Sequence, residues 1–156
     1  MNNINIDKKD IFLNKEFSSR KQFYDFITNI LLEEGKIKDT YKNSILVRES
    51  KFPTGLDTGE IKVAIPHTDY NQSNVTQLVI TTLSKPIKFK KMDNPVDEIE
   101  VSIIFLILFN KPEKQLLMLK QIMNIIQDQV FLKNLLKQNS TSEVISLFNN
   151  KEENLS

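Results

Sequence analysis

The sequence predicts an α/β fold in which helices cover a β-sheet. Three observations carry this. The stretch 61–109 holds several alternating or continuous runs of β-branched and apolar residues. The segments on either side repeat apolar residues at helical spacing. The chain has 156 residues, 40% hydrophobic and 26% charged, which fits one domain over 1–156. A domain of this length removes roughly 70% of its unfolded surface from water.

Residues 1–17 show little periodicity; Ile4, Ile6, Ile11 and Leu13 suit a short strand. Ser19 and Gln22 have the capping-box spacing, in which side chains bond free backbone N–H groups of the first turn. Phe23, Phe26, Ile27, Ile30 and Leu31 follow at helical spacing, and Gly35 can take the positive φ that stops a helix, so a helix is predicted over 19–34. Asp39 is placed to cap a second helix over about 40–49, with Tyr41, Ile45 and Leu46 inward and Arg48 and Glu49 at its end. Residues 51–60 read as a loop punctuated by Pro53, Gly55 and Gly59. Two of the chain's three glycines lie there, so the backbone is expected to take special shapes just ahead of the histidine.

Ile61, Val63 and Ile65 alternate as in a strand, which Pro66 ends. A second strand is predicted at 77–83 and a short third at 87–89, with turns marked by Pro86, Pro95 and Asp93-Asn94. The nearly continuous apolar run 99–109 suits a central strand covered on both faces. Pro112 opens a long helix, where its missing N–H costs nothing. Leu116, Leu119, Ile122, Met123 and Ile126 form the expected apolar face. Asp128 is placed to cap a short helix with Phe131, Leu135 and Leu136. Ser140 and Glu143 open a last one with Val144, Ile145, Leu147 and Phe148, leaving 150–156 as a polar tail.

Lys and Arg number 21 and Asp and Glu 20, a net charge of +1, so no long-range pull toward nucleic acid or an anionic membrane is expected. With no cysteine and one histidine, thiolate chemistry and a structural zinc site are not expected. Residues 1–12 lack an apolar signal core, and the run 101–109, broken by Ser102, is far short of the roughly 20 residues a membrane helix needs. The expectation is a cytoplasmic protein with no direct membrane insertion. Neither a GxxxxGK[ST] nor a GxGxxG pattern is present, so no nucleotide cofactor is expected, and no metal.

The segment richest in chemistry is Phe52-Pro53-Thr54-Gly55-Leu56 followed by Ala64-Ile65-Pro66-His67-Thr68-Asp69. A strand delivers His67 to its end, where a side chain is held by the sheet yet reachable. Imidazole, with an unperturbed pKa of about 6.5, keeps a large neutral fraction with a free lone pair near neutral pH. One ring nitrogen can attack while the other is held by a hydrogen bond. A lone loop histidine is more often a hydrogen-bonded surface residue. A triad can be assembled from His67 and Asp69 only without a nucleophile elbow. The residues alone leave these readings open.

These two segments, with Val47-Arg48-Glu49-Ser50 before them and Lys114-Gln115-Leu116, Ile122-Met123 and Ile126-Gln127-Asp128 after them, carry a family resemblance over about 15–150. The chain resembles enzyme IIA of the fructose/mannitol superfamily (type 2) of the bacterial phosphoenolpyruvate-dependent sugar phosphotransferase system. It is most like the galactitol-type branch. The resemblance implies a mixed β-sheet flanked by helices, the mannitol-type enzyme IIA fold. It also implies that His67 takes a phosphoryl group from the phosphohistidine of HPr. His67 would pass it to a cysteine of the cognate enzyme IIB, for sugar uptake through the membrane component IIC.

By the same resemblance Arg48 is the arginine near the active histidine. Its guanidinium can hold phosphate oxygens with two parallel bonds; a surface arginine favouring the helix dipole is the plain alternative. Glu49 could orient a partner or simply be a solvated helix-end carboxylate. Thr68 could donate to phosphate or serve the turn. Gln115 stands where fructose- and mannitol-type members carry a second histidine; it can donate a hydrogen bond but cannot become cationic. Phe52, Leu56 and Tyr70 suit either a docking rim or the core. A transport phosphocarrier, a regulatory IIA-like protein controlled by His67 phosphorylation, and a non-catalytic interaction domain are the competing readings.

Overall fold

One mixed sheet organises the chain in a computed structural model that describes residues 4–155, with side chains described up to Glu152. Residues 1–3 of the N-terminal segment and Ser156 of the expected tail lie outside the described residues. The five strands are β1 (Ile6–Lys15), β2 (Gly55–Leu56), β3 (Val63–Ala64), β4 (Gln77–Lys90) and β5 (Glu98–Leu108), in spatial order β1-β4-β5-β3-β2. β1 runs parallel to β4 and β3 parallel to β5, while β4–β5 and β2–β3 are antiparallel. The helices are α1 (Arg20–Glu33), α2 (Tyr41–Lys51), α3 (Pro112–Ile126), α4 (Gln129–Leu136) and α5 (Thr141–Leu155).

The apolar run of β5 is central, as its composition predicts, and its side chains alternate between two cores. Ile103, Phe105 and Ile107 join α3, α4 and α5 on one face. Ile104, Leu106 and Leu108 join α1 and α2 on the other. Each fully buried side chain of this size contributes about 1.5–3 kcal/mol.

The punctuation residues act largely as expected. The Ser19 hydroxyl accepts from the Gln22 N–H at 3.2 Å, and Gln22 reaches back to the Ser18 N–H at 2.5 Å. Gly35, at φ +72°, ends α1 with the Lys36 N–H on the Leu31 carbonyl. Asp128 accepts the Phe131 N–H at 3.1 Å, and Pro112 opens α3.

Other expectations are corrected. Thr40, not Asp39, precedes α2, with no side-chain cap, and the helix runs on to Lys51. The expected 51–60 loop contains β2, and the strand expected over 61–65 narrows to Val63–Ala64. The strands expected at 77–83 and 87–89 are one, β4, with a register irregularity between Thr82 and Ile87. Pro86 sits in that irregularity, where no ladder N–H is needed. The inward face of α3 is Met118, Ile122, Ile125 and Ile126, leaving Leu116 exposed and Met123 partly so. The expected polar tail is helical through Leu155.

Two contacts position the histidine loop. β2 lies so close to β4 that a Cβ on Gly55 would meet the Lys90 carbonyl at 2.6 Å. The pairing of β3 with β5 continues past Ala64 through the Ile107 N–H and the Pro66 carbonyl at 3.0 Å. His67 is therefore held at the C-terminal end of the central strand.

Candidate functional site around His67

His67 is only 7% exposed, and its ring lies 6.3 Å from that of Phe109. Its Nδ1 stands 2.8 Å from the Ile65 carbonyl oxygen. A carbonyl can only accept, so Nδ1 carries the proton and Nε2 keeps its lone pair. Burial lowers the His67 pKa below its usual value, the Ile65 bond opposes this, and the Arg48 charge adds to the lowering. At neutral pH the ring is thus a neutral imidazole with one nitrogen committed, the form that can act as a nucleophile.

Thr68 and Asp69 continue from His67 into the wall of a cavity of about 380 Å³ that Ser44, Val47, Arg48 and Phe52 also line. The Thr68 hydroxyl is buried and lies 2.6 Å from that of Ser44. Ser44 is one turn before Arg48, so α2 presents a hydroxyl and a guanidinium on one face. The Arg48 guanidinium stands 5.0 Å from the centre of the Phe52 ring. Among the described residues it has no carboxylate partner. A half-buried cation in no ion pair among the described residues, sharing a cavity with hydroxyls and within electrostatic reach of a neutral imidazole, suits a group bearing anionic oxygens.

The structure thus brings His67, Thr68 and Arg48 into one neighbourhood. Glu49 turns the other way: it is 8% exposed and accepts the Thr54 hydroxyl at 2.5 Å. Burial raises its pKa to about 7 against the bonds from Thr54 and the charges of Arg20 and Arg48. It is no solvated helix-end carboxylate. Gln115 is half-buried in the first turn of α3 and makes no hydrogen bond to His67. Phe52 and Tyr70 are exposed beside the site, while Leu56 is partly buried on the core. Sequence reasoning missed Ser44, and it named Thr54 within its motif without a role. The i, i+4 spacing of Ser44 and Arg48 was a usable signal; nothing local marks Thr54 as the partner of Glu49.

The sequence model of the family described as "Phosphoenolpyruvate-dependent sugar phosphotransferase system, EIIA 2" matches residues 5–151. The galactitol-specific EIIA component of Escherichia coli K12 is 26% identical over 104 residues, 67% of this chain and 69% of that one. The crystal structure of mannitol IIA from E. coli superposes with a TM-score of 0.75 at 19% identity, covering 93% of this chain and 99% of that one. The same enzyme in complex with phosphorylated mannitol enzyme IIB gives 0.75 at 18% identity, with 94% and 99% covered. The nitrogen regulatory protein IIA-Ntr of Neisseria meningitidis gives 0.74 at 22% identity, with 91% and 94% covered.

Proposed function

The chain belongs to the EIIA 2 family of the phosphoenolpyruvate-dependent sugar phosphotransferase system, and on that premise we propose that His67 is its phosphoryl acceptor. One observation carries the reading: Nδ1 donates its N–H to the Ile65 carbonyl, which leaves Nε2 free within electrostatic reach of Arg48, a cation with no carboxylate partner among the described residues. In the proposed step Nε2 attacks the phosphorus of the phosphohistidine of HPr. A new N–P bond forms as the old one breaks, and the donor imidazole keeps the electron pair. Arg48 offsets the charge spread over the equatorial oxygens, and Thr68 supplies a donor at the rim. The second transfer moves the group to a cysteine thiolate of enzyme IIB, exchanging the N–P bond for an S–P bond. The sugar would then be phosphorylated as it crosses through IIC.

Positioning and charge do most of the catalysis in such transfers, so a sparse site suffices. The likeness to a galactitol-specific component supports a IIB of that type, and the mannitol IIA–IIB complex supports IIB as the class of partner. The exposed Phe52 and Tyr70 suit a docking rim. A regulatory role stands second, since a nitrogen-regulatory protein shares the fold; there His67 phosphorylation would control binding to a target.

The test is intact mass after incubation with phosphoenolpyruvate, enzyme I and HPr, with His67→Ala in parallel. The expected result is one acid-labile phosphoryl group on the wild type and none on the variant. No gain with an active, matched HPr would overturn the carrier reading in favour of a non-catalytic interaction domain. Onward transfer to a IIB cysteine separates transport from regulation. In an NMR titration, the His67 midpoint is expected below 6.5, because burial favours the neutral ring. The acceptor form then persists as pH falls through 6.5 and is lost only lower.

A further inference from the structure

Taking an ionised carboxylate out of water is costly unless protein donors replace the water. Glu49 is more than nine-tenths buried at the end of α2, and among the described residues the donor that meets it is the Thr54 hydroxyl. Arg20 and Arg48 are within electrostatic reach, but no ion pair to Glu49 forms among the described residues. The carboxylate therefore acts as a grip on Thr54.

Thr54 leads to the histidine. Its carbonyl accepts the Ile65 N–H at 3.2 Å, and the Ile65 carbonyl accepts the His67 Nδ1–H at 2.8 Å. Between α2 and Thr54 the chain has few hydrogen bonds of its own. Pro53 is buried but has no N–H, and Phe52 ties back to Arg48 by its N–H on the carbonyl, at 2.7 Å, and by its exposed ring against the guanidinium. The link from helix to histidine runs through Glu49 and Thr54.

We propose that Glu49 is a positioning residue: through Thr54 it fixes the backbone at Ile65, and so decides which nitrogen of His67 carries the proton. The consequence for rate rests on the phosphocarrier reading; the effect on the tautomer does not. Outer partners that orient a metal-bound histidine typically change activity 10- to 100-fold when removed, and the low end of that range is expected for this metal-free, indirect contact.

His67 is the chain's one histidine, so its ring nitrogens can be read directly by 15N NMR in the full-length protein. The wild type is expected to show a single tautomer with Nδ1 protonated. Glu49→Ala should populate the Nε2–H form and slow phosphorylation by phospho-HPr about tenfold. Glu49→Gln, whose oxygen can still accept from Thr54, should return both to near the wild type. Thr54→Val serves where Glu49→Ala does not fold, and should give the same tautomer mixture. A folded Glu49→Ala or Thr54→Val whose His67 stays wholly Nδ1-protonated overturns the proposal whatever the rate does, as does failure of Glu49→Gln to keep the wild-type tautomer. If the wild type takes up no phosphoryl group, the carrier reading falls while the tautomer still decides the role of Glu49.

Discussion

Two buried polar clusters in this molecule are built in opposite ways. The first joins β1, the end of α1 and the start of β4. Lys36 there meets Asp10, Asp7 at 2.8 Å and Glu34 at 3.5 Å, and Gln77 donates to Asp10. Burial alone would pull the Lys36 pKa down, but the bonds to Asp10 and Asp7 outweigh it and hold Lys36 charged. Burial and the neighbouring Asp10 raise the Glu34 pKa, and the Lys36 charge opposes them. The second cluster, around His67, leaves the Arg48 cation without a carboxylate and one imidazole nitrogen without a partner. Charge that the fold saturates binds its elements together; charge left unpaired at a cavity is available to a ligand.

The sharpest way to break this comparison is to remove the cation of the saturated cluster. Lys36→Met strands the fully buried Asp10 without its counter-ion. Such a loss typically costs about 3–5 kcal/mol. Denaturant unfolding should show that drop, while the folded fraction accepts phosphoryl groups at the wild-type rate. A loss below about 1 kcal/mol would place Lys36 among ordinary surface ion pairs and erase the distinction.

The two clusters also differ in how far they could be read from the sequence. His67, Arg48 and Thr68 sit in short motifs that the family resemblance marks, and the structure brings them into one neighbourhood. The elements with local signals were equally legible: the Ser19 cap, the Gly35 stop, the Asp128 cap and the apolar run of β5. Asp10, Lys36 and Gln77 come from three distant segments, and no local pattern announces a buried charge. The burial of Glu49 is equally silent, since no local pattern marks Thr54, five residues on, as its partner. A two-residue strand such as β2 has too few side chains to show a period. In α3 the expected Leu119, Ile122 and Ile126 face the core, but Leu116 and Met123 are as apolar as Met118 and Ile125, and contact with the sheet chose between them.

On the unsaturated side, Arg48→Ala should lower the rate of phosphoryl acceptance about 100-fold, as loss of a charge-stabilising donor does. Stability should fall by no more than about 1 kcal/mol, the worth of its contact with Phe52. Arg48→Lys should recover only part of the rate, because an ammonium cannot offer two parallel bonds to phosphate oxygens. Rapid-quench phosphorylation beside thermal unfolding measures both. A large stability loss with an unchanged rate would move Arg48 into the saturated class.

The smallest effect is expected from Gly35→Ala, next to Lys36. Gly35 sits at φ +72°, and nothing lies within 4 Å of an added Cβ. The substitution meets no neighbour, so its cost is the left-handed backbone alone, about 1 kcal/mol. For a chain of this size that lowers the melting temperature by about 2–4 °C. The phosphorylation rate should not change. A fall several times larger would mean that the new side chain shifts the helix end and drags Lys36 off Asp10. The saturated cluster would then depend on the α1 turn as much as on its own charges.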